Sequence, residues 1–227
     1  MYLIEMIQDM GEIFAKYWQN FLIQGVGTTL ILSFITVVCG TLLGALLALG
    51  NMSNIKPLKW IITAFIEIIR GTPLLLQLYI GYFLVPMLVP ALNLDSFSSC
   101  AVALILNSGA YVSEIIRSGI EAVDKGQTEA SRSLGLNKTM TMVQIVLPQA
   151  VKNILPALCN EFITVIKETS LASTFFVGDL MTTYLIVKSA TFNPIPTLMI
   201  VGIIYFVLNF VLSRLLKILE RKMKAYA

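Results

Sequence analysis

The chain has 227 residues, 57% hydrophobic and only 13% charged, and its mean hydropathy is strongly positive, a balance that excludes an ordinary soluble globular domain and marks an integral membrane protein. A net charge of +3 is too small for a nucleic-acid partner, and the Lys and Arg cluster at hydrophobic boundaries, so the lipid membrane is the partner they fit. Histidine is absent and Cys39, Cys100 and Cys159 stand far apart in apolar surroundings, which excludes a metal cluster or disulfide framework and leaves them as packing residues. No G-x-x-x-x-G-K-[ST] phosphate loop occurs, so no cofactor is expected on this chain and any nucleotide energy must come from another polypeptide.

Residues 1–21 carry Glu5, Asp9 and Glu12 where a cleavable signal needs a basic start, and no small-residue cleavage site follows. Ile4, Ile7, Phe14, Trp18 and Phe21 recur at helical spacing, which predicts an amphipathic helix in the membrane interface, acidic enough to reach the outer side. Hydrophobic stretches follow at about 22–50, 58–90, 97–119, 151–170 and 196–216, each near the ~20 residues that span a bilayer as a helix. The expected architecture is an all-α integral membrane domain over 1–227: five transmembrane helices, the N-terminal interfacial helix and short cytoplasmic coupling helices. Gly71-Thr72-Pro73 interrupts the second stretch, where Pro73 cannot donate to the Ile69 carbonyl. A membrane tolerates such a break only where protein or a water-filled cavity satisfies the freed groups.

Lys56 and Lys59 follow the first span, Arg117, Lys125, Arg132, Lys138 and Lys152 the third, and Arg214, Lys217, Arg221, Lys222 and Lys224 the fifth. With alternating helices all fall on one side, which the positive-inside rule makes cytoplasmic, so the N-terminus is outside and the C-terminus inside. Val177–Ala190 is apolar but short, carries Asp179 and Lys188, and as a sixth span would place the basic tail on the wrong side. It is expected as a partly inserted outer helix with Asp179 as its cap.

Residues 120–150 form the longest polar run. Thr128–Leu134 has good helix formers and stops at Gly135, suited to the left-handed C-terminal position. Asn137 can cap a second short segment ending before Pro148. Two short helices at an angle would make a cytoplasmic knob, which the residues alone leave open as an ordinary structured loop or a docking handle.

Ionisable residues deep in spans cost ~2.5–3.5 kcal/mol each on insertion scales, so each needs a reason. Glu67 and Arg70, three apart on one helical face, can pair; the pair either neutralises itself beside the break or borders a polar pathway. Glu161 falls ~15 Å into the fourth span, near the midplane, with Asn160 beside it and Lys167 nearly two turns away. It must pair with another helix, be protonated, or face a cavity holding a cation. Every amino acid carries an ammonium group and a basic one carries a second positive charge, which a carboxylate in a low-dielectric cavity can hold by charge-assisted hydrogen bonds. The alternative is a bond to Arg70 or to a polar neighbour. Thr164, Asn107 and Gln77 are further substrate candidates, since isolated polar residues in spans also serve as interhelical hydrogen bonds.

Glu129-Ala130-Ser131, then Gly135, then Ile145-x-Leu147-Pro148 closely resembles the EAA loop of ABC transporter permease subunits, with Ser131 for the second alanine as the one departure. Arg70-Gly71-Thr72-Pro73-Leu74-Leu75, Ala110-Tyr111-Val112-Ser113-Glu114 with Arg117-Ser118-Gly119-Ile120, and Lys167-Glu168-Thr169-Ser170-Leu171-Ala172 resemble the polar amino acid permeases, from roughly residue 21 to the end. The resemblance implies the permease subunit of an ATP-driven, binding-protein-dependent importer in the bacterial inner membrane that moves a polar amino acid by alternating access; Glu161 would suit a basic one. It also implies a second permease subunit, identical or related, a pair of ATP-binding cassette ATPases that hold ATP and magnesium, and an extracytoplasmic amino-acid-binding protein. Glu129, Ala130, Ser131, Arg132, Gly135, Ile145, Leu147 and Pro148 would couple to the ATPase, and the subunit would catalyse no covalent chemistry. Two rivals stay open: an importer for another small solute, such as methionine or an organic anion, and an ion-driven carrier or channel that needs no ATPase. An intramembrane enzyme fits less, since no clustered His, Cys or carboxylates supply a nucleophile and base.

Overall fold

The computed structural model describes residues 2–53, 55–90 and 93–225. The chain forms α1 (Tyr2–Gln19), α2 (Val26–Asn51), α3 (Lys56–Gly71), α4 (Leu74–Leu88), α5 (Ser96–Glu121), α6 (Lys125–Ser133), α7 (Lys138–Thr141), α8 (Leu147–Glu168), α9 (Leu180–Thr191) and α10 (Pro194–Ala225), with no strand among the described residues. Among the described residues, four helical stretches are long and apolar enough to cross a membrane, and the bent pair of α3 and α4 makes a fifth when taken as one span. The fold is that of an all-α, multi-span membrane protein.

The helix expected over 1–21 is present but no break sets it off. α1 kinks at Tyr17 (φ −115°, ψ 15°), widens into π-helical turns over Asn20–Gly25 and runs on as α2, so Leu3–Asn51 is one 49-residue helical stretch. No proline interrupts this stretch. Ile13 and the fully buried Phe21 pack on Leu180, Val187, Ile200 and Val201, which fixes α1 against α9 and α10.

The centre of the molecule is the α2–α5 pair. Gly40 and Gly44, one turn apart, let α5 approach so closely that a Cβ at Gly40 would lie 2.9 Å from Ser108 Cβ and one at Gly44 2.7 Å from Val112 Cβ. Such a small-residue face supplies van der Waals contact where lipid is as apolar as the side chains and burial alone gives no drive. Leu32, Leu78, Cys100, Leu104 and Ala172 extend this core to α4 and to the 3-10 turns of Thr169–Phe175.

α3 and α4 meet at 110°. Thr72 leaves the helix in an extended conformation (φ −118°, ψ 149°), as the residue before a proline prefers. Its hydroxyl donates to Ile68 O at 2.8 Å, standing in for its own amide. Ile69 O, which Pro73 cannot serve, receives the Gln77 side-chain amide at 2.7 Å. The Ile68 and Ile69 carbonyls are therefore satisfied by protein, one of the two conditions under which a membrane tolerates such a break.

Two boundaries in 120–150 differ from expectation. α6 starts at Lys125 because Asp124, accepting from Gly126 N at 2.7 Å, caps it early. The second segment does not end before Pro148: α7 passes through π-helical Met142–Val146 straight into α8, giving one run over Lys138–Phe175. Pro148 lies in the first turn of α8, where the widened turn before it accommodates a residue with no N–H to give. Beyond α8, Asp179 accepts from Met181 N (3.0 Å) and Thr182 N (3.2 Å) as the cap of the 12-residue α9, which is too short to span.

Candidate functional site

The knob is closed by its glycine. Gly135 has φ +89°, Leu136 N donates to Ser131 O at 3.1 Å and Gly135 N to Arg132 O at 3.0 Å, the paired bonds of a Schellman C-cap. Asn137 Oδ1 then accepts from Met140 N at 2.9 Å, starting α7. This leaves Glu129, Ala130, Arg132, Leu147 and Pro148 exposed and Ile145 half-buried. Leu134, one residue before the glycine stop, is a large apolar side chain 82% exposed at the tip.

Ser131 does more than replace a small residue. It is buried, its hydroxyl donates to Thr128 O (2.9 Å) and meets Thr141 Oγ1 (3.1 Å), and so it ties α6 to α7. Ser131→Ala removes one net hydrogen bond, and amide exchange over 131–141 is expected to accelerate about fivefold. Unchanged exchange by mass spectrometry would show that the tie is immaterial.

Within the spans, Glu161 Oε1 accepts from Ser108 Oγ of α5 at 3.0 Å, so its hydrogen-bond donor is a hydroxyl and not Arg70. Arg70 lies at the end of α3, 3.9 Å from Glu114 and over the Tyr111 ring at 5.5 Å. The expected Glu67–Arg70 pairing is corrected accordingly: Glu67 is exposed and in no ion pair among the described residues. The bend turns Arg70 towards α5, whose Glu114 outcompetes the neighbour on its own helix. Arg117 engages Glu114 and reaches Glu121 at 2.5 Å.

Arg70, Tyr111, Glu114, Ser118, Asn153 and Ala157 line an open groove of about 340 Å³. Ala157, Glu161, Thr164 and Glu168 follow at helical spacing on one face of α8, so Glu161 stands ~6 Å further along the axis than Ala157. Glu161 and Thr164 are half-buried, and Asn160 is exposed beside them. Glu161 and Thr164 thus continue the face of α8 from which Ala157 lines the Arg70 groove. Gln77 and Asn107 lie apart from it: both are buried, the Asn107 amide donates to Gln77 Oε1 at 2.8 Å, and the Gln77 amide is spent on the break.

Residues 40–225 match the model of the family described as "Binding-protein-dependent transport system inner membrane component". The chain belongs to that family. The match includes the knob, the groove and Glu161. The arginine transport system permease protein ArtQ of Bacillus subtilis (strain 168) is 43% identical over 90% of this chain and 93% of its own length. The L-cystine transport system permease protein TcyB of the same organism is 37% identical over 89% and 86%. A crystal structure of an amino acid ABC transporter with histidines is 44% identical, with a TM-score of 0.87 over 92% of this chain and 96% of that one. In this membrane component of a transport system, α5 carries Ser108, Tyr111 and Glu114 and only residues 122–124 separate its end from α6, so a three-residue link joins that helix to the knob.

Proposed function

We propose that the chain is the permease half of an ATP-driven importer of a basic amino acid, embedded in the bacterial inner membrane with its N-terminus outside. The observation that carries the substrate reading is that a half-buried carboxylate, Glu161, stands one helical turn beyond Ala157, which lines the same groove as the Arg70 guanidinium. An amino acid with a cationic side chain presents the complementary charges: its carboxylate meets Arg70 and its side-chain cation meets Glu161, with Thr164 and Asn160 as neutral hydrogen-bond partners. The relatives named for arginine and cystine transport support an amino acid substrate.

The knob docks on a separate ATPase through Glu129, Ala130, Arg132 and the exposed Leu134. ATP and magnesium sit on that ATPase, a binding protein delivers the substrate from outside, and a second permease subunit completes the path. Closure of the ATPase pair moves the knob, α5 follows, and the two halves rock to change the side from which the site is open. The test is ATPase stimulation of the reconstituted complex across the common amino acids. Arginine or lysine should stimulate most; a maximum with methionine or an organic anion overturns the basic-substrate reading.

A further inference from the structure

We infer that Gln77 and Asn107 are positioning residues, a bracket that sets the angle of the broken span and so holds the Arg70 guanidinium at the wall of the groove; this role rests on the reading of Arg70 as a substrate-facing group. The bracket has three points of attachment. The Gln77 amide nitrogen donates to Ile69 O at 2.7 Å and lies 3.1 Å from Thr72 O and 2.9 Å from Thr72 Oγ1, so it grips the last turn of α3. Its Oε1 accepts from Asn107 Nδ2 at 2.8 Å, which fixes that grip to α5. α4 is itself immobile on α5, because a Cβ at Gly81 would stand 2.8 Å from Ala103 Cβ and 3.1 Å from Ser99 O.

The first half of α3 is held on α2 by Thr63, whose hydroxyl donates to Asn51 Oδ1 at 3.2 Å, but its last turn, which carries Arg70, has fewer ties. Ile66 is the buried side chain of α3, and the Arg70–Glu114 contact at 3.9 Å is too long for a hydrogen bond. A cavity of about 150 Å³ on the inside of the bend is walled by Ile68, Ile69, Leu76, Val102, Ala103 and Leu106 beside the bracket. Thr72 and Gln77 also line it, so the amide is the group that ties the two arms of the bend across it. Loss of the bracket therefore leaves the Ile69 carbonyl with only the long 3.4 Å contact from the Thr72 hydroxyl, and the end of α3 is freer to swing with Arg70, two residues before Thr72.

The full complex, reconstituted with its ATPase and binding protein, is assayed for ATP-driven L-arginine uptake. Gln77→Met keeps the length of the side chain but cannot donate; it should raise KM about tenfold and change kcat less than threefold. Asn107→Ala, a smaller change at a buried position, should raise KM in the same direction by about threefold and serves if Gln77→Met fails to assemble. In an Arg70→Ala background neither substitution should move KM further, since the bracket acts through Arg70. An equal KM increase in both backgrounds, or none in either, overturns the bracket alone. An Arg70→Ala complex with the wild-type KM overturns the substrate reading of Arg70 and the bracket's role with it.

Discussion

Glu161→Gln is expected to lower kcat/KM for L-arginine uptake about 100-fold while leaving a neutral amino acid within about threefold, because a charge pair is lost for one and only a hydrogen bond is changed for the other. The substitution keeps the shape of the side chain and leaves an oxygen to accept from Ser108 Oγ, so the helix contact between α5 and α8 survives. What disappears is the negative charge at the position where no helical neighbour supplies a cation. Uptake kinetics for the two substrates, measured on the same reconstituted preparations, decide the matter. An equal loss for both would mean that the carboxylate meets the ammonium group common to all amino acids, or holds the two helices together, and does not read the side chain.

Gly135→Pro should abolish coupling between ATP hydrolysis and uptake, reducing transport per ATP by more than about tenfold, while the subunit still inserts in the membrane. Gly135 sits at φ +89°, a value that proline's ring forbids, and its N–H bond to Arg132 O at 3.0 Å would vanish with the same change. A Cβ at this position meets nothing within 4 Å, so the damage is conformational and not a clash. Gly135→Ala, which costs only about 1 kcal/mol for a left-handed alanine, should therefore retain most of the coupling. The readout is the ratio of substrate imported to ATP hydrolysed. Wild-type coupling in the proline variant, with the ATPase co-purifying at normal yield, would remove the knob from the mechanism.

The fold was legible where a single property set it. Five apolar stretches interrupted by lysines and arginines could only be spans, and the Gly71-Thr72-Pro73 break announced itself through the missing N–H of Pro73. The depth of the bend was not legible, because it depends on Gln77 reaching back eight residues to Ile69 and on Asn107, thirty residues away, holding Gln77. The same non-local effect redirected Arg70: spacing on one helix pointed to Glu67, but the bend brought in Glu114 from another. α1 and α2 looked like two elements because their composition differs, yet the backbone stays helical from Leu3 to Asn51 because no proline lies between them. In the knob, Gly135 and Asn137 were readable from local backbone chemistry. Ser131 was underread, since its partner Thr141 becomes a neighbour only after the turn has closed.

The central claim is that this chain moves an amino acid only when a separate ATPase works on its knob. It is tested most directly by L-arginine accumulation in proteoliposomes that hold either the permease alone or the permease with its ATPase and binding protein. The complete assembly should accumulate arginine when ATP is supplied, and the permease alone should accumulate none under an imposed sodium or proton gradient. Gradient-driven accumulation by the permease alone would contradict the claim and make the chain a self-sufficient carrier.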